Sequence, residues 1–172
     1  PEAPYAGELV FNEIMFDAPV GGQEYVEFYN LSEKVIDLSK IGFTSRKSNG
    51  DLNTLVTIPF GQFAGPNEVV CWALSPDSVL NYHKVTNQSR IIPTQNWYSL
   101  NNENATLVLC NLDKDTIYDE LTYNSDWHFA LLSNTKGISL EKINPLLPVN
   151  NPASWHSAAS EVNYGTPGYK NS

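Results

Sequence analysis

Apolar and polar residues alternate along most of this chain in short runs with the period of a β-strand. In residues 24–30 (EYVEFYN), Val26 and Phe28 point to one face while Glu27 points to the other. Residues 8–16 form a similar run shortly before it, and the connection between the two runs is rich in Gly, Asp and Pro. This arrangement predicts that the two runs are antiparallel neighbours in a sheet.

Further short strands are predicted along the rest of the chain, separated by segments with turn residues. They cover residues 35–38, 41–44, 55–59, 68–74, 105–110, 116–123 and 138–143. The interval 84–104 is rich in Asn and is expected to be irregular. One short helix is predicted over residues 78–83, because Ser75 and Pro76 supply the signals that start a helix. Many short strands with at most one short helix predict an all-β sandwich or barrel.

Length and composition agree with one β-rich domain. The 172 residues are enough to bury a core, 41% of them are apolar, and residues with high strand propensity are plentiful. We expect residues 1–7 to be a linker and residues 8–172 to be the domain. Because the chain begins at Pro1 rather than at Met, we expect it to be a mature fragment or a domain of a longer protein.

The charge of the chain restricts its partners. The formal net charge is −9, and only ten residues are Lys or Arg, with no basic run among them. Binding duplex nucleic acid requires cationic side chains that displace counterions from phosphates. The same negative field disfavours contact with an anionic membrane, and no run reaches the roughly 20 apolar residues that span a bilayer. We predict neither a duplex nucleic-acid partner nor direct membrane insertion.

Several phrases in the first two thirds of the chain resemble one known family. Residues 9–14 (LVFNEI) and 24–30 (EYVEFYN) resemble the paired opening of lamin tail domains. Residues 36–43 (IDLSKIGF) resemble the step that follows in that family. Residues 104–113 resemble its later hairpin, although the dipeptide 114–115 replaces the usual Gly.

The last third of the chain resembles bacterial members of the family in particular. The phrases are residues 138–143 (ISLEKI), 155–159 (WHSAA) and 165–172 (GTPGYKNS), so the resemblance runs from about Glu8 to Ser172. It implies an immunoglobulin-like β-sandwich of an exported protein, outside the cell or at its surface. It also implies a non-catalytic module that binds or anchors a protein or glycan partner. The open alternative is a spacer beside a secreted nuclease or phosphatase, with no ligand of its own.

Glu13 and Glu27 are the candidate catalytic pair. If the first two strands are antiparallel neighbours, both carboxylates lie on one face, and two carboxylates about 5 to 9 Å apart can serve a glycosidase. We favour instead acids that are partly buried and accept hydrogen bonds, because both belong to the family's opening phrases. A structural role is also expected for Asn12 and Asn30 at strand ends and for Trp155 as an anchor of the tail.

Aromatic residues in the irregular segments are the candidate binding residues. Such side chains often anchor contacts with partners, and a patch of them could stack on sugars or contact a protein. Core packing beneath long loops is the alternative that stays open. The four residues are Trp97, Tyr98, Trp127 and Phe129.

No cofactor or metal site is predicted. The three histidines are scattered without ligand spacing, and His128 is expected at the surface or at a rim. The turn 111–115 has carboxylates at alternate positions, which suits Ca²⁺, but it lacks the Gly and Glu of an EF-hand, and a plain β-turn is favoured. Cys71 and Cys110 are expected to be reduced buried thiols, with a disulfide as the open alternative.

Overall fold

The computed structural model describes residues 1–172 as strands in three sheets and one short helix. The helix α1 spans Pro76–Tyr82, and none of the helices is both long and apolar enough to cross a bilayer. The predicted all-β class with a single short helix is therefore confirmed. In chain order the strands are β1 (Leu9–Met15), β2 (Tyr25–Asn30), β3 (Ile36–Asp37), β4 (Ile41–Ser45), β5 (Phe63–Ala64), β6 (Val69–Ala73), β7 (Ile91–Pro93), β8 (Asn104–Asn111), β9 (Ile117–Asn124), β10 (Leu140–Lys142) and β11 (Trp155–Ser157).

Two sheets enclose the main core. The six-stranded sheet has the order β11-β10-β1-β2-β6-β7, the three-stranded sheet has the order β4-β8-β9, and β3 pairs with β5 in a small third sheet. The ring of Phe28 lies 5.2 Å from the rings of Phe11 and Trp72 in its own sheet and 6.3 Å from Phe43 in the facing sheet. Interleaved aromatic rings from two facing sheets are the packing of a β-sandwich.

Strands β1 and β2 are antiparallel, as predicted, and a bulge interrupts their register. Phe11 is opposite Phe28 and Glu13 is opposite Glu27, so Asn12 is an extra residue on β1. In a regular strand, residues two apart share a face. The bulge breaks this rule, because Phe11 stays in the main core while Glu13 turns to the outer face of the sheet.

The strands predicted at residues 35–38 and 41–44 do not pair with each other. Strand β3 pairs with β5, whereas β4 pairs with β8. The 3-10 turn Leu38–Lys40 separates β3 from β4 and passes the chain from one sheet to the other. Residues 55–59, also predicted as a strand, contribute only an isolated bridge to β4.

The sequence did not predict three short strands, β5, β7 and β11. The interval 84–104 was expected to be irregular, but it contains β7, which runs parallel to β6 with Ile91 opposite Cys71. Strands β5, β7 and β11 are only two or three residues long. Alternation cannot mark so short a run, and each strand exists because a longer element supplies its hydrogen-bonding partner.

Residues 1–7, predicted to be a linker, are bonded to the domain. The N–H of Glu2 donates to the carbonyl of Val35, and the N–H of Asp37 donates to the carbonyl of Glu2. The N–H of Gly7 donates to the carbonyl of Tyr118 on β9. This segment therefore extends the small sheet and covers part of the edge of β9.

The remaining sequence candidates have plain structural roles. In the turn 111–115, the Asn111 side chain accepts hydrogen bonds from the N–H groups of Asp115 and Thr116, and no cluster of metal-ligating side chains exists in the chain. Cys71 on β6 and Cys110 on β8 are buried and free, and they lie in different sheets. The disulfide alternative is thereby removed.

Candidate functional site

A row of polar side chains crosses the outer face of the six-stranded sheet, on the side away from the main core. Glu13 on β1 lies between Glu27 on β2 and Glu141 on β10 in the strand register. The row continues to Cys71 on β6 and to His156 on β11. Glu13, Glu27 and Glu141, which we call the carboxylate row, are each 0% exposed.

The C-terminal segment 165–172, which we call the clasp, covers the carboxylate row. Its backbone reaches all three carboxylates, one after another. The bonds run from Thr166 N–H to Glu13 Oε1 at 2.9 Å, from Gly168 N–H to Glu27 Oε2 at 2.6 Å and from Ser172 N–H to Glu141 Oε2 at 2.8 Å. The clasp lies so close to the sheet that a Cβ at Gly165 would approach the hydroxyl of Tyr25 to 2.5 Å.

Glu13 is the most densely bonded member of the row. Its Oε1 accepts the hydroxyl protons of Tyr25 at 2.5 Å and Ser139 at 2.6 Å, in addition to the Thr166 N–H. Its Oε2 lies 3.0 Å from the hydroxyl oxygen of Thr166, which is also 2.7 Å from Glu141 Oε1. Thr166 therefore bridges two carboxyl groups that come from strands far apart in the sequence.

The bulge residue joins the row to the clasp. Asn12 Nδ2 donates to Glu27 Oε1 at 2.7 Å and to Asn171 Oδ1 at 3.0 Å. Asn171 Nδ2 in turn donates to the carbonyls of Asn12 and Lys142. The extra residue of β1 thus serves as a polar link between the sheet and the clasp.

Burial without a neighbouring cation changes the acidity of the row. Burial, followed by the nearby charge of Glu141, raises the pKa of Glu13 to about 7. Burial, followed by the charge of Glu13, raises the pKa of Glu27 well above its usual range. No Lys or Arg forms an ion pair with the row, and His156 Nε2 lies 3.6 Å from Glu141 Oε2. Glu13 is consequently protonated in part of the molecules at neutral pH.

The row is not built for catalysis on a substrate. A glycosidase needs two carboxyl groups that face the scissile bond across an open cleft. Glu13 and Glu27 are directly opposite each other, internally bonded and covered by the clasp, and neither lines the surface cavities at Trp97, Tyr29, His83 or Phe129. The arrangement fits the structural role that the sequence predicts for the two acids. It gives a substrate no access to them, so it does not support catalysis by Glu13 and Glu27.

The other two family-motif residues hold backbone and core in place. Asn30 at the end of β2 is fully buried, and the two protons of its Nδ2 are within hydrogen-bond distance of three backbone carbonyls, including that of Lys34 at 2.9 Å. Trp155 packs into the main core, and its Nε1 donates to the carbonyl of Val149 at 2.7 Å. Both residues satisfy groups that the loops would otherwise leave unpaired.

The four aromatic candidates do not form one patch. Trp97 and Tyr98 pack against Phe43, with ring centroids 5.3 and 6.0 Å apart, and line one cavity. Trp127 packs against Trp155. Phe129 is 61% exposed and lines a different, smaller cavity. Only Trp97 and Tyr98 thus share a concave surface.

The cavity at Trp97 and Tyr98, which we call the aromatic cleft, has a volume of about 660 Å³. Residues 17–24, between β1 and β2, form one wall, and Lys136 lies at its border. Glu24 Oε2 accepts the indole N–H of Trp97 at 2.9 Å, which fixes the orientation of the ring. Burial raises the pKa of Glu24, and the salt bridge between Lys136 and Asp17 measures 3.0 Å.

The expectation that His128 lies at the surface or at a rim is wrong. The residue is buried, its ring contacts Phe16, and its Nδ1 lies 2.8 Å from the hydroxyl oxygen of Ser157. Burial lowers the pKa of His128 to about 4, so the ring is neutral at physiological pH. The alternation of residues 138–143 could have marked Glu141 as an outer-face residue, but nothing local in the sequence pairs it with Glu13.

The fold and the site define an immunoglobulin-like β-sandwich domain whose buried carboxyl groups are closed to substrates. A family model described as Lamin Tail Domain matches residues 2–125, which include β1 to β9. The chain therefore belongs to the lamin tail domain family, a family of non-catalytic immunoglobulin-like domains. No curated protein matches the chain. Glu13 and Glu27 lie within the matched region, whereas Glu141 and the clasp lie beyond it.

Proposed function

We propose that this domain is a non-catalytic interaction module of an exported bacterial protein and that it binds a protein or glycan partner through the aromatic cleft. The observation that carries the proposal is the fixed aromatic wall of the cleft. Trp97 is held by Glu24 on one side and by Phe43 on the other. A side chain that is already fixed loses little conformational entropy when a ligand covers it.

The position of the aromatic cleft also supports binding. Its walls come from the connection between β1 and β2 and from the connection between β7 and β8, which meet at one end of the sandwich. Loops on a rigid β scaffold commonly carry binding sites. A volume of about 660 Å³ is within the range of ligand pockets.

Net charge narrows the class of partner. With 19 acidic and ten basic residues, the domain repels phosphate backbones and anionic lipid surfaces. Neutral glycans and protein surfaces do not encounter this repulsion. Trp and Tyr faces suit both, because they offer apolar area beside polar edges.

A second candidate function is a spacer or folding cap beside a secreted hydrolase. The observation that favours it is the internal pairing of the polar groups in the aromatic cleft. Asp17 bonds to Lys136 and Asn102, and Glu24 bonds to Trp97 and Leu100. Polar groups paired in this way do not need a ligand.

A binding screen with matched variants tests the interaction module and separates it from the spacer. The wild-type domain is screened against a glycan array and against surface proteins of the source organism. Val20 is 85% exposed and lines the aromatic cleft, so Val20→Glu should abolish binding without loss of folding. Phe60 is 87% exposed outside the cleft, so Phe60→Glu should bind as the wild type does.

Two tryptophan variants complete the test. Trp97→Ala should abolish binding, whereas Trp127→Ala, which changes a ring packed against Trp155, should leave it intact once both variants are shown to be folded. Unchanged binding in Val20→Glu and Trp97→Ala would refute the aromatic cleft as the binding site. Absence of any binding by the wild type in both screens would favour the spacer.

Export is part of the proposal and has its own test. It is supported by the likeness of residues 155–159 and 165–172 to the closing phrases of bacterial members. An antibody against the domain should detect the protein in the surface or culture fraction of the source organism. Detection in the cytosolic fraction alone would contradict export.

A further inference from the structure

The contact between the clasp and the carboxylate row leads to an inference that is independent of the aromatic cleft. We propose that the clasp is locked onto the sheet by a proton held between Glu13 and Glu141, and that it is released when that proton is lost. We call this proton-mediated contact between Glu13, Thr166 and Glu141 the lock. It makes the outer face of the six-stranded sheet accessible only above neutral pH.

The number of hydrogens around Thr166 requires such a proton. The Thr166 hydroxyl oxygen is 3.0 Å from Glu13 Oε2 and 2.7 Å from Glu141 Oε1, and Asn171 Oδ1 lies at 3.4 Å. A hydroxyl group has one proton and donates one hydrogen bond. Both short contacts are hydrogen bonds only if one of the two carboxyl groups also carries a proton and donates it to Thr166.

The surroundings place this proton on Glu13. Both carboxyl groups accept hydrogen bonds, but only Glu141 has a basic side chain beside it, since His156 Nε2 lies 3.6 Å from Glu141 Oε2. Glu13 then donates from Oε2 to the Thr166 oxygen, and the Thr166 hydroxyl donates to Glu141. Loss of the proton to solvent leaves two buried carboxylates on one hydroxyl, with no cation between them.

The groups around the lock do not compensate for the lost proton. Burial raises the pKa of Tyr25 and Cys71 and lowers that of His83, so these groups are neutral at pH 7. Since the pKa of Glu13 is about 7, the lock responds to small changes around neutral pH. The titratable groups that face Glu13 from the packed elements are Tyr25 and Glu27 on β2, Cys71 on β6, Glu141 on β10, His156 on β11, His83 after α1, and Tyr169 in the clasp.

A strained hinge precedes the clasp. Asn163 and Tyr164 have φ values of 58° and 62°, two consecutive left-handed residues that are not glycine. Asn tolerates this conformation, but for Tyr it is unfavourable. Hydrogen bonds outside the carboxylate row hold this conformation, because the N–H of Tyr164 donates to the carbonyl of Ala159 and its carbonyl accepts the N–H of Ser139. The clasp therefore begins at a fixed, strained point from which the rest of the segment can open.

Amide hydrogen exchange measured by NMR tests the lock in the full chain. Protection factors, which already correct for the intrinsic effect of pH, are compared at pH 6 and pH 8.5 for Thr166 and Gly168 in the clasp and for Phe28 and Val70 in the core. Clasp amides should lose protection by about tenfold or more, as expected for opening linked to one proton. Core amides should stay better protected than clasp amides at both pH values, because they exchange only after global unfolding.

Two variants identify the group that holds the proton. In Glu13→Gln, the amide nitrogen can donate to the Thr166 oxygen as the protonated carboxyl does, so the clasp should stay protected at both pH values. Glu33 is exposed and makes no side-chain hydrogen bond, so Glu33→Gln should behave like the wild type. A Glu13→Gln variant that loses protection as the wild type does would overturn the proposal.

If Glu13→Gln does not fold, a direct titration of the wild type tests whether Glu13 holds the proton. The ¹³Cδ chemical shift of Glu13 in the wild type should change with a midpoint near neutral pH. The proposal is overturned if both Glu13 and Glu141 titrate below pH 5. It is also overturned if clasp protection is the same at pH 6 and pH 8.5.

Discussion

The two faces of the six-stranded sheet are built from the same strands but held by different forces. On β2, Phe28 faces inward and its ring packs against Trp72 and Phe11. One residue earlier, Glu27 faces outward and accepts hydrogen bonds from Asn12 and Gly168. Both residues are completely buried. One face excludes water with apolar rings, and the other excludes it with a polar network beneath the clasp.

The difference shows that burial has two distinct consequences. Apolar packing is non-directional and carries no charge, so its contribution grows with area and does not depend on pH. A buried polar network is stable only while each atom has its partner and each carboxyl has the right protonation state. The inner face should therefore respond mainly to changes of volume, and the outer face to changes of hydrogen bonding and pH.

The largest effect is expected from a change on the inner face. Phe28→Ala should lower the free energy of unfolding by about 3–5 kcal/mol, because it leaves a cavity among Phe11, Trp72 and Phe43. Urea denaturation at pH 6 and pH 8 measures the loss. Equal losses of stability at the two pH values are expected. A loss confined to one pH value would contradict the claim that packing on the inner face does not depend on pH.

A smaller effect is expected from removing one hydroxyl on the outer face. Thr166→Val should lower the free energy of unfolding by about 1–3 kcal/mol, because it removes the bridge between Glu13 and Glu141. The loss, measured by urea denaturation, should be larger at pH 6, where the clasp is locked and the bridge is made, than at pH 8, where the clasp is released.

Thr122→Val is the matched control for this substitution. It removes an exposed hydroxyl that bonds to Thr106 at 2.8 Å on the surface of β9, and it should change stability by less than about 0.5 kcal/mol. Equal effects of the two substitutions would mean that the polar network does not depend on the Thr166 bridge.

The smallest effect is the pH dependence of the wild type. The pKa of Glu13 rises on folding from 4.5 to about 7, so the folded state binds more protons and stability falls as pH rises through this range. The raised pKa of Glu27 acts in the same direction. His83 and His128 have lowered pKa values and act in the opposite direction, since they destabilise the fold as pH falls below 6.5.

The net result is a fall in stability of about 1 kcal/mol between pH 6.5 and pH 8, most of it below about pH 7.5, where Glu13 has lost its proton. Unfolding free energies measured in urea across this range should show it. Glu13→Gln should make the profile flatter, whereas Phe28→Ala should shift it downward without a change of slope. A wild-type profile that rises between pH 6.5 and pH 8 would contradict the assignment of protons to the carboxylate row.

The sequence alone determined the features that depend on neighbouring residues. Alternation over residues 24–30 placed Val26 and Phe28 on one face of β2 and Glu27 on the other. Turn residues and strand propensity gave the hairpin of β8 and β9 and the single helix α1. These features are encoded locally, because strand and helix periods relate residues only two to four positions apart.

The tertiary structure decided the features that depend on distant segments. The bulge at Asn12 turned Glu13 to the outer face, where β10 brings Glu141 beside it. The clasp then covered the carboxylate row completely, whereas the sequence predicted that Glu13 and Glu27 would be only partly buried. Hydrogen-bond donors from residues more than 120 positions away make that burial tolerable, as the Thr166 and Ser139 bonds to Glu13 show. No local pattern encodes such a partner, so the register of distant strands fixed the site.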